Sequence, residues 1–77
     1  MIVIHVLGTG CQRCAQLKEN VREAVALVGG DYEIREVRDI DEILEFGVMT
    51  TPAVVVDGET RIQGKVASVE EIAAILK

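Results

Sequence analysis

Ile2-Val3-Ile4-His5-Val6-Leu7-Gly8-Thr9-Gly10-Cys11-Gln12-Arg13-Cys14 is the stretch on which the fold turns. Residues 2–7 form an apolar run rich in β-branched side chains, closed by glycines, and read as a strand buried on both faces. Beyond the glycines the period changes. Cys14, Leu17, Val21, Ala24, Val25 and Val28 recur at three- and four-residue steps, with Gln16, Lys18, Glu19, Asn20, Arg22 and Glu23 between them. This is an amphipathic helix over 12–28, stopped by Gly29-Gly30. Cys11 therefore falls at or beside the helix N-cap, and Cys14 falls on the helix's apolar face.

Outward from this unit, Tyr32 to Val37 alternates as a half-exposed strand. Asp39 offers an N-cap with Glu42 three residues on, and Ile40, Ile43 and Leu44 supply a short apolar stripe before Gly47. Residues 48–52 read as a loop and 53–56 as a strand. Asp57-Gly58 is a two-residue hairpin signal leading into a strand over 59–63. Ser68 with Glu71 forms a capping box for a last helix whose apolar face is Val69, Ile72, Ala73 and Leu76. The order is β-α-β-α-β-β-α. A helix between the first two strands makes them parallel, and a tight hairpin makes the last two antiparallel. The expectation is an α/β fold, a four-stranded mixed sheet flanked by three helices, in a single domain over 1–77.

The bulk properties agree. With 77 residues, 49% of them hydrophobic and only 3% aromatic, the core must be small and aliphatic. A net charge of −5 argues against nucleic acid and anionic membrane as partners. No apolar run is long enough to span a bilayer. The N-terminus lacks the cationic region and cleavage site of a signal peptide, so the expected location is cytoplasmic.

In that setting a Cys-x-x-Cys pair is a redox centre or a metal site, because a bridge across so short a loop removes little unfolded-state entropy. Position separates the two thiols. Unpaired backbone N–H groups and the positive end of the helix dipole favour a thiolate at Cys11, below the ordinary cysteine pKa of about 8.5. Cys14, on the apolar face, should be buried. Cys11 is then the exposed nucleophile, and Cys14 resolves the mixed disulfide. Arg13 either supports the thiolate or is a solvated first-turn side chain. The pair itself carries the electrons, so no cofactor is called for.

Thr51-Pro52 is the second element. A proline opening a strand gives up no ladder hydrogen bond. If the third strand neighbours the first, Thr51 and Pro52 stand beside Cys11, and the Thr51 backbone can pair with an extended substrate.

Gly10-Cys11-Gln12-Arg13-Cys14, Thr51-Pro52-Ala53 and Val56-Asp57-Gly58 together resemble the small glutaredoxin-like thioredoxin-fold proteins of archaea and bacteria, the redox-active disulfide proteins. The resemblance covers the whole chain and implies the minimal thioredoxin fold and thiol–disulfide oxidoreductase activity. It makes Cys11 the nucleophile and Cys14 the resolving thiol. It also implies a cis Pro52 in contact with substrate and Thr51 as the backbone contact. Substrate protein disulfides and a reductase would be the partners. Thioredoxins proper carry a Trp before the first cysteine and Gly-Pro between the two, where this chain has Gly10 and Gln12-Arg13. Glutaredoxins hold glutathione with an acidic turn near the last helix, where this chain reads Gly64-Lys65-Val66. Neither glutathione nor the usual thioredoxin reductase is therefore assigned as electron source.

His5 stands six residues before Cys11, the offset at which thioredoxins keep a buried acid that handles the second thiol's proton. A neutral imidazole suits that work, and a packed strand histidine is the plainer alternative. The competing function is carriage of a soft metal, Cu(I) or Zn(II), on the same cysteines. Small copper chaperones place a Cys-x-x-Cys after a first strand, but in the order β-α-β-β-α-β, with a Met before the first cysteine and no Thr-Pro loop. As a redox pair, neither cysteine is expected to be a metal ligand.

Overall fold

The computed structural model describes residues 2–10 and 12–76. The elements follow the order β1 (Ile2–Leu7), α1 (Gln12–Val28), β2 (Tyr32–Val37), α2 (Ile40–Glu45), β3 (Ala53–Val56), β4 (Glu59–Gln63) and α3 (Val69–Leu76). One sheet runs β2-β1-β3-β4. β1 and β2 are parallel, with Ile4 opposite Ile34, whereas β1–β3 and β3–β4 are antiparallel. This is the α/β minimal thioredoxin fold expected from the period changes along the chain.

Strand alternation sends side chains to two unequal cores. Ile4 and Val6 of β1 point to the face covered by α1 and α3, where they meet Leu17, Val21, Ala24, Ile72 and Leu76. Leu7, Val37, Ala53 and Val55 point to the other face and meet Ile43 and Val48. Two hydrogen bonds fasten the larger core at its margins. Asn20 Nδ2 donates to the Ala67 carbonyl at 2.8 Å, and the Tyr32 hydroxyl donates to the Leu76 carbonyl at 2.8 Å. Asp57 and Gly58 both take positive φ, 52° and 82°, the backbone of a two-residue turn that matches strand twist. The Ser68–Glu71 box forms as expected, with the Glu71 N–H donating to Ser68 Oγ at 3.2 Å and the Ser68 N–H to Glu71 Oε1 at 3.4 Å.

Two local expectations are corrected. β1 is not buried along both faces: Val3 and His5 remain half-buried on the α2 side. α2 is 6 residues long and covers that face near Leu7 but not along the whole strand. For the same reason its apolar stripe does not all pack. Ile43 is buried, while Ile40 and Leu44 are 61% and 62% exposed. Asp39 is the N-cap of α2 as expected, its carboxylate accepting from the Asp41 N–H at 2.9 Å.

Candidate active site

The site lies where β1 gives way to α1. Gly8 still belongs to the ladder, its N–H donating to the Val37 carbonyl at 2.9 Å. The chain then turns through Gly10 at φ 93°, a conformation that a side chain would oppose. A Cβ at Gly10 would also stand 3.2 Å from an Arg38 guanidinium nitrogen. Cys11, read as the nucleophile, lies outside the described residues, and α1 begins at the following residue, Gln12. The first turn of α1 carries no acidic side chain, so nothing on the helix itself offsets the positive end of its dipole.

Cys14 is buried, with 6% of its surface exposed, on the same helical face as Leu17 and Val21. It packs directly on the Gly8 backbone. A Cβ built at Gly8 would overlap Cys14 Sγ and stand 2.8 Å from Cys14 Cβ. Arg13, one residue earlier, reaches across to the Gly64 carbonyl at 3.3 Å.

The β1–β3 register ends with Leu7 opposite Ala53, so Gly8 and Pro52 are the next positions outward on adjacent strands. Pro52 is fully buried, Thr51 is half-buried, and the peptide bond between them is cis. The Pro52 carbonyl accepts from the Gly64 N–H at 2.9 Å. Gly64 thus touches both parts of the site, through its carbonyl to Arg13 and through its N–H to Pro52. Met49, just before this segment, is 87% exposed.

His5 sits on the α2 face of β1. Its ring lies 4.8 Å from that of Phe46, tilted by 49°, and β2 places Arg35 opposite it. Nδ1 is buried and has no hydrogen-bond partner among the described residues. Burial lowers the His5 pKa below its usual 6.5; Arg35 lowers it further, and Glu33 opposes the shift. His5 is therefore held neutral near pH 7.

Among the described residues, no group of three or more His, Cys, Asp or Glu side chains is placed to hold a metal ion. No described helix is long and apolar enough to cross a membrane. Two contacts escaped the sequence reading. Gly8 looked like a strand terminator rather than the floor under Cys14, and Arg38, just past the end of β2, stands beside Gly10. A glycine three residues before a Cys-x-x-Cys was the available signal for the first.

A central strand feeding a helix that begins at Gln12 and buries Cys14, with a cis-proline segment on the adjacent strand, defines a protein of the thioredoxin class. The comparisons agree with this. The family described as "Thioredoxin domain" matches residues 2–77, and the chain belongs to that family. It is 47% identical over 76 residues to a thioredoxin of Methanothermobacter thermautotrophicus, with 99% of each chain covered. It is also 48% identical over 77 residues to a thioredoxin of Methanocaldococcus jannaschii, covering 100% of this chain and 88% of the relative.

Proposed function

We propose that this protein is a thiol–disulfide oxidoreductase in which Cys11 attacks and Cys14 resolves. Family membership supports disulfide chemistry in general terms. The observation that carries the finer reading is the Leu7–Ala53 register, which brings Thr51-Pro52 to the end of β1 from which the cysteine helix departs. The Cys11 thiolate attacks one sulfur of a substrate disulfide, forming a mixed disulfide and releasing one substrate thiolate. The Cys14 thiolate then attacks the Cys11 sulfur, releasing the second substrate thiolate and leaving Cys11–Cys14 oxidised. Two electrons pass from protein to substrate, and a separate reductase returns them. Thr51 offers its backbone to the extended substrate beside Pro52. Arg13 adds positive charge next to the nucleophile, and the Cys14 proton leaves to solvent, with neutral His5 as the base that would relay it. A cytoplasmic, reducing setting belongs to the same proposal.

The metal-carrier reading fits less well, because α2 stands between the second and third strands, where that layout has none. The test is a thiol titration of the reduced protein in dithiothreitol or glutathione redox buffers. A reversible two-electron transition between about −120 and −300 mV is expected. Tight Cu(I) binding without any such transition would reject the proposal.

A further inference from the structure

The geometry points to Gly8 as the positioning residue for the resolving thiol: Cys14 Sγ occupies the space that a side chain at Gly8 would fill. This rests on the proposed roles of Cys11 and Cys14. A Cβ at Gly8 would overlap Cys14 Sγ and lie 2.8 Å from Cys14 Cβ, while the Cys14 Cα is 3.9 Å away, an ordinary contact. The conflict is therefore confined to the Cys14 side chain.

Neither partner can give way easily. Gly8 is pinned by its N–H bond to Val37 at 2.9 Å, and the β1–β3 register stops just before it, at Leu7 opposite Ala53. Cys14 sits in a helix fixed by Leu17, Val21 and Ala24, all fully buried. Gly8 does not have a positive φ, so its backbone conformation alone does not demand glycine. Space for Cys14 is what the position supplies. A β-carbon there would lift the thiol away from β1 and misalign it for attack on the Cys11 sulfur, while leaving the first attack, by Cys11, unobstructed. Small displacements of reacting atoms are costly, a misplacement of about 1 Å reaching roughly a hundredfold in rate.

The experiment is a Gly8→Ala substitution with one equivalent of the aryl disulfide 5,5′-dithiobis(2-nitrobenzoate). The Cys11 thiolate breaks the aryl disulfide, forms a mixed disulfide and releases one thionitrobenzoate. The Cys14 thiol loses its proton to solvent, breaks the mixed disulfide to form Cys11–Cys14, and releases the second. In Gly8→Ala the first release should stay within about twofold of the parent, and the second should slow by about tenfold or more. An unchanged second release overturns the inference. Absence of a first release in the parent protein would instead reject the proposed role of Cys11, so the two failures are distinguishable. Should Gly8→Ala fail to fold, the Gly8→Ala/Cys14→Gly pair removes both close contacts. Recovery of a cooperative melting transition then supports the inference, and no recovery overturns it.

Discussion

Arg13 and Gly64 are joined across 51 positions of chain by a hydrogen bond of 3.3 Å between a guanidinium nitrogen and a backbone carbonyl. Because Gly64 also donates to Pro52, this bond links the first turn of the cysteine helix to the proline segment. The link is exposed, so its contribution to folding is small, and in the proposed mechanism the Arg13 charge is what acts.

Replacing Arg13 by Gln should therefore leave stability within about 0.5 kcal/mol of the parent. Reaction of the nucleophilic thiol with a neutral alkylating reagent at pH 7 should slow by about twofold, because less of it is thiolate. Alkylation rates across pH, read in a Cys14→Ser background, check this. An unchanged profile would reduce Arg13 to a surface tether.

His5 makes stability depend on pH. Its pKa in the folded protein lies below the unfolded value of 6.5, so the unfolded chain binds more protons between the two. Its contribution is complete above about pH 6.5 and is lost as pH falls through the folded-state pKa. Melting temperatures between pH 7.5 and 5 should fall more steeply for the parent than for His5→Phe. Parallel slopes would mean that another group carries the dependence. A second measurement separates packing from chemistry: if His5 is the base for Cys14, His5→Ala slows disulfide exchange between pH 6 and 8 while the fold persists.

Asn20→Ala removes the donor to Ala67, a residue with no exposed surface. The orphaned carbonyl should cost about 1–2 kcal/mol, or roughly 4–8 °C in Tm per kcal/mol for a chain of this size. Gln16→Ala loses an exposed bond to Asn20 of similar length, 2.9 Å, and should stay within about 0.5 kcal/mol. Thermal melts of the two variants side by side make the comparison, and equal losses would contradict it.

The same contrast is available in α2. Ile43→Ala should cost about 2–4 kcal/mol, whereas Leu44→Ala, at a site 62% exposed, should cost less than about 0.5 kcal/mol. Urea unfolding midpoints measure both. A large loss at Leu44 would mean that its side chain is covered in solution.

These contrasts mark the limit of what the sequence could reveal. Element type and order were legible because the change from strand to helix period is a property of consecutive residues. Valine-rich runs, glycine stops, the Asp57-Gly58 turn and the Ser68–Glu71 box all act locally. The helix start at Gln12, with Cys14 on its apolar face, was legible for the same reason. Ile40 and Leu44 were misjudged because a stripe shows which side of a helix is apolar, not how much of it the sheet can cover. A helix of six residues reaches the sheet with Ile43 and little else. The Gly8–Cys14 contact, the Arg38–Gly10 proximity and the Arg13–Gly64 bond are properties of pairs that the fold brings together. No pattern along the chain encodes them.

The unequal cores have a consequence for motion. Amide exchange reports the cost of local opening, and that cost scales with the apolar contacts an opening must break. On the α1–α3 side, opening breaks the larger apolar core together with the Asn20 and Tyr32 hydrogen bonds. On the α2 side it breaks a smaller one built around Leu7, Ile43, Val48 and Val55. Residues 48–52 run from that lighter side to β3, whose Ala53 faces the smaller core and whose Val54 faces the larger. Amide exchange is therefore expected to be slower in the half that carries α1 than in the half that leads to Pro52. On the proposed mechanism, an incoming chain would be accommodated by yielding on the α2 side of the sheet while α1 holds its place.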